Sequence, residues 1–180
     1  MPLNDSAVPK LSSNADPAVT VNYRDYRSED FPRLHALDQE CFPPGIAYSE
    51  AELMHYVRRR NAFTIVAESG QGLAGFIVAE TQSTRGHVIT LDVSPKHRRR
   101  AIGSELMLRA EEKMKGAGCR VVFLETAVNN AAALAFYHRF GYVVIKTIPR
   151  YYEGNLDALL MGKKLVSHPS SKVSERTSSK

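Results

Sequence analysis

The chain has 180 residues, 43% of them apolar, and a formal net charge of +5. That length suits one domain, which buries roughly two-thirds of its unfolded surface and needs no disulfide or metal staple. No run approaches the ~18 apolar residues of a membrane span, so no membrane partner is expected.

Residues 1–20 are rich in Ser, Asn, Pro and Asp, and residues 167–180 are similarly polar. Both read as disordered tails, leaving a domain over 21–166. Val21–Tyr26 reads as a strand. Ser28 is placed to cap a helix with Phe31, Leu34 and Leu37 on one face. Pro43, Pro44 and Gly45 make 41–48 a loop. Ser49 and Glu52 have capping-box spacing and open a second helix to about Arg60. Ala62–Glu68, Leu73–Thr81 and His87–Val93 are predicted strands, the first two joined by a turn at 70–72. After Pro95, the residues Ile102, Leu106, Ala110, Met114 and Ala117 recur at helical spacing, and Gly116 and Gly118 end that helix. Val121–Leu124 reads as a strand buried on both faces. Asn129 or Asn130 caps the next helix, Leu134, Phe136 and Phe140 are available for packing, and Gly141 ends it. Tyr142–Ile148 and Ala158–Lys164 are the last strands. The order β-α-α-β-β-β-α-β-α-β-β predicts a mixed α/β sheet covered by helices.

The sharpest local signal is the stretch from Leu91 to Ser104, where a strand runs through a basic loop into a helix. The first amides of a helix lack internal partners, and the helix dipole is positive there. Small residues at Ala101, Gly103 and Ser104 let an anion approach the backbone, and Arg98, Arg99 and Arg100 add charge. The pattern suits a phosphate or diphosphate. The alternative is a solvated basic turn before an ordinary helix. A P-loop and a dinucleotide glycine fingerprint are both absent.

At these residues the chain resembles the GNAT family of N-acetyltransferases, whose Gln/Arg-x-x-Gly-x-Gly/Ala signature reads here Arg98-Arg99-Arg100-Ala101-Ile102-Gly103. Ala101 departs from the usual glycine; its methyl could crowd a diphosphate, redirect the amides or favour the helix. Leu124-Glu125-Thr126, Asn129–Tyr137 and Phe140-Gly141-Tyr142 resemble the branch containing ribosomal-protein-alanine and N-terminal protein acetyltransferases. Phe42-Pro43 with Tyr48, and Tyr151-Tyr152, resemble its acceptor-binding segments.

The resemblance implies a mostly antiparallel central sheet with two splayed parallel strands and helices on both faces. It implies acetyl-CoA as cosubstrate; His87, His97 and His138 have no ligand spacing, and no metal is expected. Leu91, Asp92 and Val93 would then flank the cofactor arm, with the backbone of Leu91 and Val93 holding it. The segment Arg98, Arg99, Arg100, Ala101, Ile102, Gly103 and Ser104 would hold the diphosphate, and Asn130 and Tyr137 would approach from the far side. Glu125 would accept the amine's proton and Tyr137 would protonate the leaving sulfur. From the residues alone, Glu125 could equally be an edge carboxylate paired with an arginine, and Tyr137 a core tyrosine. Phe42, Pro43, Tyr48 and Tyr151 would bind the acceptor, and each is also compatible with plain packing. Asp92 either binds the amine or faces away.

The implied acceptor is a protein or peptide N-terminus, ribosomal proteins included. A lysine or small-amine acetyltransferase is the alternative within enzymes. A non-catalytic acetyl-CoA sensor or a basic nucleic-acid-binding module is the alternative outside them. Basic runs without interleaved aromatics argue against nucleic acid. Cys41 and Cys119 lie far apart, without metal-ligand spacing, and predict two buried thiols in a reducing compartment. With no apolar leader core in the first residues, the expected location is the cytoplasm and the expected state a monomer or small oligomer.

Overall fold

The structure is a computed structural model describing residues 20–70 and 72–165. Apart from Thr20, the two expected tails lie outside the described residues. Their elements follow the expected order. The first half holds β1 (Val21–Asp25), α1 (Phe31–Cys41), α2 (Glu50–Val57), β2 (Ala62–Ser69), β3 (Gly72–Gln82) and β4 (Arg85–Val93). The second holds α3 (Ile102–Gly116), β5 (Val121–Ala127), α4 (Ala131–Arg139), β6 (Val143–Tyr152) and β7 (Leu156–Lys164). The strands form one sheet in the order β1-β2-β3-β4-β5-β7-β6. Every neighbouring pair is antiparallel except β4 with β5.

Local chemistry moves some boundaries from their expected places. Ser28 does not cap α1: it opens a 3-10 turn, Ser28–Asp30. Asp30 is fully buried there, accepts the Arg27 amide at 2.9 Å and pairs with Arg24 at 2.6 Å. The capping box at Ser49 forms as expected, with Ser49 N–H donating to Glu52 and Glu52 N–H to Ser49 Oγ. The helix it opens stops at Val57, short of Arg60. α3 and α4 both end in the same six-residue hydrogen-bond pattern. Cys119 N–H reaches Met114 O and Tyr142 N–H reaches Tyr137 O, with Gly118 and Gly141 at positive φ. Ala117 therefore falls past the end of α3 and is exposed rather than on its buried stripe.

Helices cover both faces. Ile102, Leu106, Ala110 and Met114 of α3 pack on one side with Ile77, Val88, Val122 and Leu124. Phe31, Leu34 and Leu37 of α1 and Leu53 of α2 pack on the other with Val66, Phe76 and Val78. Among the described residues, no helix is long and apolar enough to cross a membrane.

Two features of β4 open the sheet. Against β3, the register jumps from Val78↔Thr90 to Ala79↔Val88, so Ile89 is an extra, bulged residue. A bulge bends a strand and increases its twist. Against β5, pairing runs only from Arg85↔Val121 to Val88↔Leu124. The parallel pair therefore separates where the bulge bends β4 away.

Candidate active site

Beyond Val88 and Leu124 the gap between β4 and β5 widens into a cleft of about 850 Å³. Leu91 and Val93 of β4 line one wall. Asn130 and Tyr137, at the start and within α4, line the opposite wall. Phe42, Pro43 and Tyr48 enter from the α1–α2 loop. Arg98, Arg99, Ala101, Ile102, Gly103 and Ser104 close the end at α3. Three residues expected at the site are not in these walls: Asp92, Arg100 and Tyr151.

The start of α3 presents main-chain donors. Glu105 N–H makes a helical bond to Ala101 O, so the amides just before it have no acceptor within the helix. Arg99 and Ala101 both adopt left-handed conformations, φ 63° and 60°. Ala101 stands immediately before the helix, so its methyl does not act as a helix former. It holds the backbone bend that a glycine adopts freely. Arg98 donates from Nε to Val93 O at 3.2 Å, closing the loop onto the end of β4. Backbone donors, a helix N-terminus and two arginines suit an anionic diphosphate.

Glu125 follows Leu124 at the point where the strands part, and its side chain is 17% exposed. Its partner is not the arginine that a purely structural role would supply. It is His87, whose Nε2 lies 2.6 Å from Glu125 Oε2. His87 Nδ1 lies 3.6 Å from Oε1 of Glu80, and Glu80 pairs with Arg59 at 3.0 Å. Burial pulls the imidazolium's pKa down, but the hydrogen bond and charge of Glu125, aided by Glu80, more than offset it, and the net direction is upward. Sequence reasoning missed this pair. His87 and Glu125 are 38 positions apart, and only the register of the parallel strands brings them together.

Tyr137 is buried, and burial, with Asp92 and Tyr152 nearby, raises its phenol well above the ordinary range. It therefore stays a phenol at working pH, and among the described residues its hydroxyl makes no hydrogen bond. Its ring is fixed edge-on against Phe136 and Tyr142. Tyr142 is anchored in turn by its bond to Glu111 at 3.0 Å.

The mouth of the cleft is rich in tyrosine. Tyr48 packs edge-on against Tyr56, and Tyr151 against Tyr152. Tyr48 Oη donates to Ile89 O at the bulge. Of the tyrosine pair on β6, Tyr152 lines the cleft, whereas Tyr151 is half exposed beside it. The register breaks between Ile148 and Tyr152 and Arg150 is left-handed, so the pair departs from regular strand alternation and the two rings meet. The backbone of Glu153 donates to Gly45 O at 3.3 Å, tying the β6–β7 turn to the α1–α2 loop.

Asp92 faces away from the cleft. It is 1% exposed and sits opposite Phe76 on the α1 side of the sheet. Thr90 donates to its Oδ1 at 2.8 Å, while Oδ2 has no partner. Burial, with Asp38 close by, pushes its carboxyl well up. Cys119 is buried as expected, but Cys41 is only half-buried and lines the cleft, with Sγ 3.4 Å from Val93 O. Desolvation raises the Cys41 thiol to about 11, so it is protonated. Among the described residues, no group of three His, Cys, Asp or Glu side chains is placed to hold a metal.

The acetyltransferase (GNAT) family profile matches residues 29–142. An uncharacterised N-acetyltransferase of Methanocaldococcus jannaschii is 31% identical over 78% of this chain and 90% of its own length. The N-alpha-acetyltransferase MAK3 of Arabidopsis thaliana is 33% identical over 77% of this chain and 74% of its own length. A chain of the NatC complex, solved bound to Gag peptide and CoA, superposes with a TM-score of 0.70 at 26% identity, covering 81% of this chain and 99% of that one.

Proposed function

The chain belongs to the acetyltransferase (GNAT) family and is an acetyl-CoA-dependent N-acetyltransferase; from that premise we propose that its acceptor is the α-amine at the N-terminus of a protein. The observation that carries this reading is the tie between Glu153 and Gly45. The bond joins the loop that carries Phe42, Pro43 and Tyr48 to the turn that follows Tyr152, and these four residues line the cleft together with Glu125. An aromatic lining suits the free end of a chain threaded past the tyrosines. The 33% identity to an N-alpha-acetyltransferase supports the same acceptor.

Acetyl-CoA supplies an acetyl thioester whose carbon the amine attacks. The amides following Ala101, with Arg98 and Arg99, would hold the diphosphate, and the ends of β4 and β5 would flank the cofactor arm. Amide formation needs a neutral amine, because an ammonium has no lone pair. An N-terminal ammonium has a pKa of about 8 and a lysine ammonium about 10.4, so the first is far easier to neutralise near neutral pH. Glu125 faces the space where the amine would lie and accepts its proton. Tyr137, fixed as a phenol, donates a hydrogen bond to the departing thiolate sulfur. Phe42, Pro43, Tyr48 and Tyr152 hold the acceptor backbone, and Tyr151 supports Tyr152 by its edge-on contact.

A peptide panel tests this. Peptides with free N-termini beginning Ala, Ser or Met-Leu are compared with N-blocked peptides carrying internal lysine. At least one free N-terminus should be acetylated at a rate well above any blocked peptide. Tyr137→Phe should lower kcat by about ten- to a hundredfold and leave acetyl-CoA affinity within about twofold. Faster acetylation of the blocked peptides would move the acceptor to lysine. An unchanged kcat in Tyr137→Phe would remove that phenol from the reaction.

A further inference from the structure

The loop between α1 and α2 brings Phe42, Pro43 and Tyr48 to the cleft. Tyr48 stands immediately before Ser49, the N-cap of α2, and the first bond of that helix runs from Leu53 N–H to Ser49 O. The main-chain groups of Tyr48 therefore lie outside the helix ladder, and a loop residue in that position ordinarily leaves them to water.

Here two adjacent side chains of α1 take them. Asp38 Oδ2 accepts the Tyr48 N–H at 2.8 Å, and Gln39 Nε2 donates to Tyr48 O at 2.7 Å. The same Gln39 nitrogen lies 3.2 Å from Asp38 Oδ2. Both neighbours of that amide are acceptors, which turns its NH2 toward them. Asp38 is fully buried, so the core fixes its half of the grip; Gln39 is exposed and closes the other half from outside. The Tyr48 ring is held as well. Its hydroxyl donates to Ile89 O at the β4 bulge, and its edge meets Tyr56.

Neither Asp38 nor Gln39 lines the cleft. They act only through the residue they hold. A binding loop that is already ordered spares its ligand the cost of ordering it, and a small displacement of a contact residue weakens binding by more than the bond that was lost.

We infer that Asp38 and Gln39 are positioning residues, which clamp both main-chain groups of Tyr48 and thereby set how tightly the enzyme takes its acceptor. The inference rests on the reading of Tyr48 as an acceptor-binding residue. A loosened clamp raises KM for the acceptor and spares KM for acetyl-CoA, whose diphosphate end is held by the separate loop before α3. A merely structural fault reduces the amount of folded enzyme instead, and lowers the apparent kcat while the folded molecules keep their KM.

The test measures steady-state constants on the fastest peptide of the panel, whichever amine that peptide presents, with folding of each variant checked by circular dichroism. Gln39→Met keeps the length and helix propensity of the side chain but removes the donor. Its peptide KM should rise about five- to twentyfold, with acetyl-CoA KM within about twofold of wild type. Asp38→Ala should act in the same direction, and Asp38→Asn, which keeps an acceptor for the Tyr48 amide, should bring peptide KM back toward wild type. Gln39 lies on the surface, so its variant carries the test even where Asp38→Ala does not fold. Tyr48→Ala should also raise peptide KM, and adding Gln39→Met to it should change nothing further, because the clamp then has nothing to position.

A wild-type peptide KM in Gln39→Met would overturn the inference. So would a Gln39→Met effect of equal size with and without the Tyr48 side chain, and equal impairment of Asp38→Ala and Asp38→Asn would remove Asp38 from the clamp. If Tyr48→Ala raises peptide KM while Gln39→Met does not, only the clamp fails. If Tyr48→Ala keeps the wild-type KM, the assignment of Tyr48 to the acceptor fails with it.

Discussion

Ala101 holds φ 60° and ψ 6° immediately before α3. The left-handed region is unfavourable for an L-residue by about 1–2 kcal/mol, because Cβ crowds the following carbonyl. The bend is kept because the basic loop must turn into the helix with its amides directed at the cleft. Ala101→Gly removes the crowding but gives the unfolded chain more freedom, worth about 0.4–1 kcal/mol in the other direction. The net expectation is a gain of about 0.5–1 kcal/mol, read as a higher urea midpoint with unchanged slope. A lower midpoint would mean that the methyl contributes packing outweighing the strain. At this scale the sequence was informative wherever a residue type has one dominant use. Ser49 with Glu52 announced a helix start, and Gly141 announced a helix end. Side-chain direction was less legible. Asp92 turned to the α1 side and Tyr152 rather than Tyr151 turned to the cleft. A strand's facing depends on bulges: the register breaks between Val78 and Ala79 and again between Ile148 and Tyr152.

The element that shapes the acceptor side is α1, and its last turn carries a buried carboxyl. Asp38 is 0% exposed. Its Oδ2 accepts the Tyr48 amide at 2.8 Å, while Oδ1 has no partner. Burial, only partly offset by that amide, raises its pKa to about 6. The folded carboxyl thus keeps its proton up to about pH 6, whereas the unfolded one loses it near pH 4. Between those values the folded state binds more protons, so stability falls as pH rises. Asp38→Asn keeps an acceptor for Tyr48 without the titration. The variant should gain on wild type between pH 4 and 6 by an amount on the order of 2–3 kcal/mol, then hold that advantage at higher pH. Urea unfolding of both proteins across this range checks it; parallel curves would mean that Asp38 is not the titrating group. Asp30, held well below the usual carboxylate range by its bonds to Arg24, acts in the opposite sense at acid pH in both proteins. Elements themselves were readable from periodicity and breakers. The strand lengths were underestimated: β5 and β6 run on past their apolar cores to Ala127 and Tyr152, and β7 begins at Leu156, ahead of Ala158.

For the whole molecule, element order implied a mixed sheet, and motif resemblance supplied the splayed parallel pair. What no local pattern could supply was the register of β4 against β5, which depends on contacts between distant segments. That register stacks His87 beside Phe123 and brings its ring to Glu125. It also decides where pairing stops and the cleft begins. The same long-range closure ties Glu153 to Gly45 and so joins the β6–β7 turn to the α1–α2 loop. The central claim is that this tyrosine-lined cleft presents a chain terminus, not a lysine side chain, to Glu125. The most direct measurement offers both amines at once: one peptide with a free N-terminus and an internal lysine, incubated with acetyl-CoA and mapped by tandem mass spectrometry at several pH values. Acetyl should appear on the α-amine at every pH where the enzyme turns over. Acetyl on the lysine ε-amine, with the N-terminus left free, would contradict it.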